Sequence, residues 1–177
     1  KGSDINQVLH TLGRVWRITE VAHKPFPTGR ATHGIIDAII ELKSAHAINA
    51  AEVQSIEAKV PQLTHQLVGR PIHKTMDTNY ARLNARYAAA IALQSGSVHL
   101  ENFSKAAVQD KATITLAEKV NIVVDDNPDP NALSPVTLKI TAATGATYSK
   151  TIDRVLGHPS KPLDRTTHLR KFKTNCK

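Results

Sequence analysis

The chain has 177 residues, of which 41% are hydrophobic and 21% charged, and a formal net charge of +8. That balance fits one globular domain with its own core. It excludes a disulfide framework, since Cys176 is the sole cysteine, and it excludes a membrane-spanning helix, since no apolar run approaches the ~20 residues needed. The positive residues are scattered and become dense only at Arg165, Arg170, Lys171, Lys173 and Lys177. Neither zinc-finger spacing nor an aromatic-interleaved basic stripe accompanies them, so nucleic acid is not the expected partner. A basic binding module without catalysis is the alternative from another class, and its affinity would fall steeply with salt.

In chain order, Val15–Ala22 alternates weakly around Trp16 and Ile18 and reads as a strand. Ile35, Ile36, Ile39, Ile40 and Leu42 recur at helical spacing to about Ala47. Val53–Val60 places Ile56, Ala58 and Val60 on one face and Ser55, Glu57 and Lys59 on the other, the pattern of a half-buried strand ended by Pro61. Gln62–Asn79 reads as a long loop carrying His65, Arg70 and His73. Tyr80–Gln94 reads as one helix closed by Gly96. Leu100–Val108 and Ala112–Lys119 read as short helices, and Val120–Asp125 as a strand. Pro135–Thr141 and Thr147–Arg154 form a hairpin pair about Thr144-Gly145, and Asp164 caps a last helix to Cys176. The elements do not alternate in βαβ order. The expected fold is α+β, a mainly antiparallel sheet with helices packed on one face.

The stretch Lys24-Pro25-Phe26-Pro27-Thr28-Gly29-Arg30-Ala31-Thr32-His33 enters the first long helix. Its prolines stiffen the approach, Gly29 is free to turn, and Thr32 is a candidate N-cap. A helix N-terminus collects unpaired N–H groups and attracts anions. With Lys24, Arg30 and His33 beside it, the stretch reads as a carboxylate- or phosphate-holding loop. From spacing alone it reads also, and more often, as a stiff connection in a basic protein.

Five stretches together resemble the MmgE/PrpD family. They are Lys24–His33 continued by Ile36-Asp37-Ala38, His65–Pro71, Asn79–Leu83 with Tyr87, Asp125–Leu133, and Gly157-His158-Pro159 through Leu163 to Lys171-Phe172. The family includes 2-methylcitrate dehydratases, cis-aconitate decarboxylases and iminodisuccinate epimerases. Its members pair a large helical domain with a smaller α+β lid, and the chain resembles the lid. The resemblance implies a lead-in over residues 1–13 from an absent helical domain and a lid over 14–177. It implies a cofactor-free lyase acting on a small polycarboxylate, most similar to 2-methylcitrate dehydratase, with a dicarboxylate epimerase as the alternative. The implied partners are the helical domain and, in the complete enzyme, a second copy. Neither nucleic acid nor membrane is implied.

The family reactions begin with proton removal, or carbanion-like charge, beside a carboxylate. Lys24, Gly29, Arg30 and Arg70 are therefore the expected substrate-binding residues, and His33 and His65 the expected acid/base pair. His33 has a structural alternative, a hydrogen bond to the helix start or to Asp37. Gly29 stands where the decarboxylase branch has a histidine, and His65 where it has a tyrosine, which argues against cis-aconitate decarboxylation. No HExxH or comparable ligand spacing calls for a metal. The expected compartment is reducing, the cytoplasm or, in a eukaryote, the mitochondrial matrix.

Overall fold

The computed structural model of the protein describes residues 4–176. At its centre lies a four-stranded sheet in the order β2-β1-β3-β4. The strands are β1 (Val53–Val60), β2 (Val120–Val124), β3 (Val136–Ala142) and β4 (Thr147–Ile152). β1 pairs antiparallel with β3, and β3 with β4, while β1 and β2 run parallel. The fold is α+β with a mostly antiparallel sheet, as the alternation predicts. The parallel pair is the departure. It exists because the chain leaves β1 for a long helical excursion and returns to the same end of the sheet, which only a crossover can do.

Register puts the buried residues in rows. Ile56 faces Val120 and Ile140, and Ala58 faces Ile122 and Leu138. On the other face Glu57 stands between Asn121 and Lys139, and Lys59 beside Thr137. That face is polar, and Lys59, Asn121 and Lys139 are exposed. The apolar face is covered by α2 (His33–His46), which lies over β3 and β4, and by α5 (Ala85–Ser95), which reaches β2. Ile35, Ile36, Ile39 and Leu42 of α2 are all buried there. Gly34 allows the close approach, because a Cβ on it would meet Val136 Cγ2 at 2.7 Å. Glu41 then fastens α2, with Lys150 of β4 at 2.8 Å and Lys161 at 3.0 Å.

The remaining helices are α1 (Ile5–Thr11), α3 (Gln62–Val68), α4 (Thr78–Arg82), α6 (Lys111–Glu118) and α7 (Arg165–Asn175). Among the described residues no helix is long and apolar enough to cross a membrane. Of the expected 1–13 lead-in, residues 1–3 lie outside the described residues, as does Lys177.

Four expectations are corrected. Val15–Ala22 is not a strand. It holds a 3₁₀ turn over Arg17–Glu20 and pairs with none of the four strands, and local bonds hold it instead: the Thr19 hydroxyl donates to the Trp16 carbonyl at 2.8 Å. Gln62–Asn79 is not one loop. Pro61 stands at its N-cap and α3 follows at once, because proline suits a helix start. The helix expected over Tyr80–Gln94 is two helices, α4 and α5, broken at Leu83-Asn84. There the Asn84 side chain accepts from Tyr87 N–H at 3.0 Å and caps α5 afresh. Leu100–Val108 is two 3₁₀ turns rather than an α-helix. The expected stop at Gly96 stands, with φ of 70°.

Candidate functional site

The Lys24–His33 stretch is held from three sides. His23 N–H donates to the Gly157 carbonyl at 2.8 Å. Gly157 has φ of +86°, and a Cβ there would sit 1.9 Å from the His23 carbonyl oxygen, so no other residue fits without moving the loop. Gly29 N–H donates to the Arg82 carbonyl at 2.9 Å, tying the loop to α4. Lys171 Nζ of α7 donates to the Lys24 carbonyl. Inside the loop, the Thr32 hydroxyl donates to the Gly29 carbonyl at 2.9 Å and accepts from Thr28 at 2.8 Å. Thr32 therefore stands at the N-cap position of α2 without its side chain capping the helix. Its hydroxyl closes the turn instead.

His33 is fully buried, and neither ring nitrogen has a hydrogen-bond partner among the described residues. Its ring meets Phe26 edge-on at 5.4 Å. Burial pushes its pKa down to about 3, and the charges of Arg30 and Lys24 add to the shift. The Thr28 carbonyl opposes it without meeting hydrogen-bond geometry. The imidazole is thus neutral and closed off. The hydrogen bond to Asp37 proposed as its structural role is absent. Asp37 instead accepts from Leu156 N–H at 2.5 Å, and burial raises its pKa against that bond. Arg30 is half-buried; burial lowers its pKa while Asp37 acts in the other direction.

His65 lies on α3, which packs against the Arg30–Thr32 turn. Its carbonyl accepts from Gly69 N–H at 2.8 Å, and a Cβ at Gly69 would meet the His65 ring at 3.0 Å. The Arg70 guanidinium sits over the Tyr80 ring, 5.4 Å from its centroid, a cation–π contact. Its carbonyl accepts from Asn84 Nδ2 at 3.2 Å. Asn84 therefore fixes Arg70 and α5 together.

A cleft of about 290 Å³ opens beside the loop. Its floor includes Phe26, Val98 and Leu156, and its ionisable lining is Lys24, His99, Arg170 and Lys171. No Asp or Glu lines it. Of the six expected site residues, Lys24 alone lines this cleft; Gly29, Arg30, His33, His65 and Arg70 do not. Sequence reasoning missed His99, Arg170 and Lys171 as neighbours of Lys24. A signal existed for two of them, since the tail is the one dense run of positive charge. Among the described residues no group of three or more His, Cys, Asp or Glu side chains is arranged to hold a metal ion.

The sequence profile of the MmgE/PrpD C-terminal domain matches residues 26–177. The chain belongs to the MmgE/PrpD family. A comparison with curated proteins returns no match. The match begins at Phe26, so Arg30, His33, His65 and Arg70 fall inside the MmgE/PrpD domain, as do Arg170 and Lys171 of α7. Lys24 stands just ahead of it, and its assignment rests on the Lys-Pro-Phe-Pro run that leads into the matched span.

Proposed function

We propose that this MmgE/PrpD domain forms one wall of a cofactor-free active site for a small di- or tricarboxylate, and that the reaction is a dehydration of the 2-methylcitrate type. The observation that carries the reading is Lys24, set at a cleft lined also by Arg170 and Lys171 and by no Asp or Glu. Removing a proton beside a carboxylate builds negative charge on the substrate, and fixed cations in a site of low water content stabilise it. Lys24 binds one carboxylate as a point charge. Gly29 shapes the loop behind it, and Arg30 and Arg70 supply further positive potential. His33 and His65 are the acid/base candidates of this reading, and His33 acts only if the loop opens to the substrate. The exposed side chains of Leu12, Trp16 and Ile18 support a helical domain as partner. The exposed lone Cys176 supports a reducing compartment such as the cytoplasm.

The test is Lys24→Ala in an enzyme carrying both domains, assayed on 2-methylcitrate. Exposed lysines contribute little to stability, so the melting temperature should hold within a degree or two while kcat/KM falls by about 10²-fold or more. Unchanged turnover would remove Lys24 from the site.

A further inference from the structure

The cleft beside Lys24 has a second wall, and α7 supplies it through Thr167, Arg170, Lys171 and Thr174. No side chain of α7 is buried, so apolar packing does not hold the helix there. Among the described residues two contacts do: the Lys171 ammonium on the Lys24 carbonyl, and the His168 ring edge-on to His23 at 5.1 Å. Lys171 is thus engaged with the loop. Arg170 is not: among the described residues its guanidinium makes no ion pair and no hydrogen bond, its charge acting only at longer range on Asp164, although it lines a cavity next to another cation. An arginine left with its donors unused at a cleft is suited to grip a carboxylate with two parallel hydrogen bonds. The cleft volume, about 290 Å³, lies at the small end of ligand pockets and fits a compact organic acid better than a nucleotide.

We propose that Arg170 is a specificity-determining residue of this site: it takes a further carboxylate, beyond the one at Lys24, and makes the cleft select small tricarboxylates over dicarboxylates. The proposal rests on the carboxylate reading of Lys24. It adds that α7, held by little else, is fastened over the cleft by the ligand itself.

The experiment titrates the 177-residue chain with citrate and with succinate at low salt, following backbone amide shifts. Citrate should bind more tightly than succinate by about tenfold, and should move α7 and the Lys24 loop together. Arg170→Ala should bring citrate down to the succinate level. Lys173→Ala removes the same charge from the same helix outside the cleft, and should leave the ratio intact. Lys24→Ala should weaken both ligands alike. If Lys173→Ala erases the preference as fully as Arg170→Ala, the effect is net charge and the proposal fails. If Arg170→Ala changes nothing while Lys24→Ala weakens binding, the Arg170 role fails and the Lys24 reading stands. If only Arg170→Ala matters, the Lys24 reading fails instead. No shift at millimolar citrate overturns both.

Discussion

α2 and α7 both border the Lys24 loop, and they are held by opposite means. α2 buries eight of its fourteen residues, including Ile35, Ile36 and Ile39, against the sheet and α5. α7 buries none of its eleven. The loop therefore has one side on a packed scaffold and the other against a helix attached by a few polar contacts. Hydrophobic area decides which side is rigid, because polar surface contacts contribute far less. A site made this way keeps Phe26 and His33 fixed and leaves the wall at Arg170 free to respond to a ligand.

The comparison breaks most directly at the scaffold. Ile39→Ala should cost about 2–5 kcal/mol, since its side chain is fully buried and the cavity cannot collapse inside a helix–sheet layer. A denaturant midpoint unchanged from the parent would show that α2 is not the rigid side.

Acid should act through His33. The unfolded imidazole takes a proton near pH 6.5, whereas the folded one stays neutral down to about 3. Between those values the unfolded state binds more protons, so stability falls as pH falls, by up to about 1.4 kcal/mol per pH unit. Asp37, with its pKa raised by burial, works in the other direction near the carboxylate range, and Glu41, with its pKa lowered, loses stability there. The histidine's contribution begins at about pH 6.5 and extends down to about 3. His33→Leu should flatten the stability slope in that window, and a slope that persists would place the proton elsewhere.

Asn84→Ala sharpens the scaffold side further. It removes the α5 cap and the two bonds to the Arg70 and Pro71 carbonyls, and should cost about 0.5–2 kcal/mol. A loss below that range would mean that Leu83-Asn84 is an incidental break. Leu169→Ala on α7 should lie within about 0.5 kcal/mol of the parent, since the side chain is 44% exposed. A larger loss would give α7 an apolar anchor and erase the contrast.

Much of the scaffold was legible in the sequence. The alternation of Val53–Val60 gave β1 to the residue, and the isoleucine spacing gave α2, because burial on one face leaves a period that needs no tertiary knowledge. The misread segments are those where a local signal and a long-range partner disagree. Trp16 and Ile18 have strand-forming side chains but no strand beside them. Ala85–Ser95 has a good helical stripe, but Asn84 divides it from α4, and a capping asparagine inside an apolar run is easily passed over. At the site, the loop motif led to Lys24. The cleft also depends on His99, Arg170 and Lys171, which meet Lys24 only through tertiary folding. His33 illustrates the same limit: its position at the start of α2 was readable, but its complete burial depends on Phe26 and the closed threonine turn.

The parallel β1–β2 pair also bears on how the chain assembles. β1 lies in the middle of the sheet, yet neither of its neighbours is near it in sequence: Ile56 waits for Val120 on one side and for Ile140 on the other. Only β3 and β4 can pair locally, across the turn at Gly145. Closing long loops costs chain entropy before any contact repays it, so the hairpin and the helices should form early and the central strand should dock late. During synthesis β1 then leaves the ribosome well before its partners, with Val53, Ile56 and Val60 uncovered. Pulse-labelled hydrogen exchange during refolding should find the Leu138 and Ile140 amides protected ahead of Ile56. This small domain would then be a slow folder with a vulnerable interval, set by the order of its strands rather than by their strength.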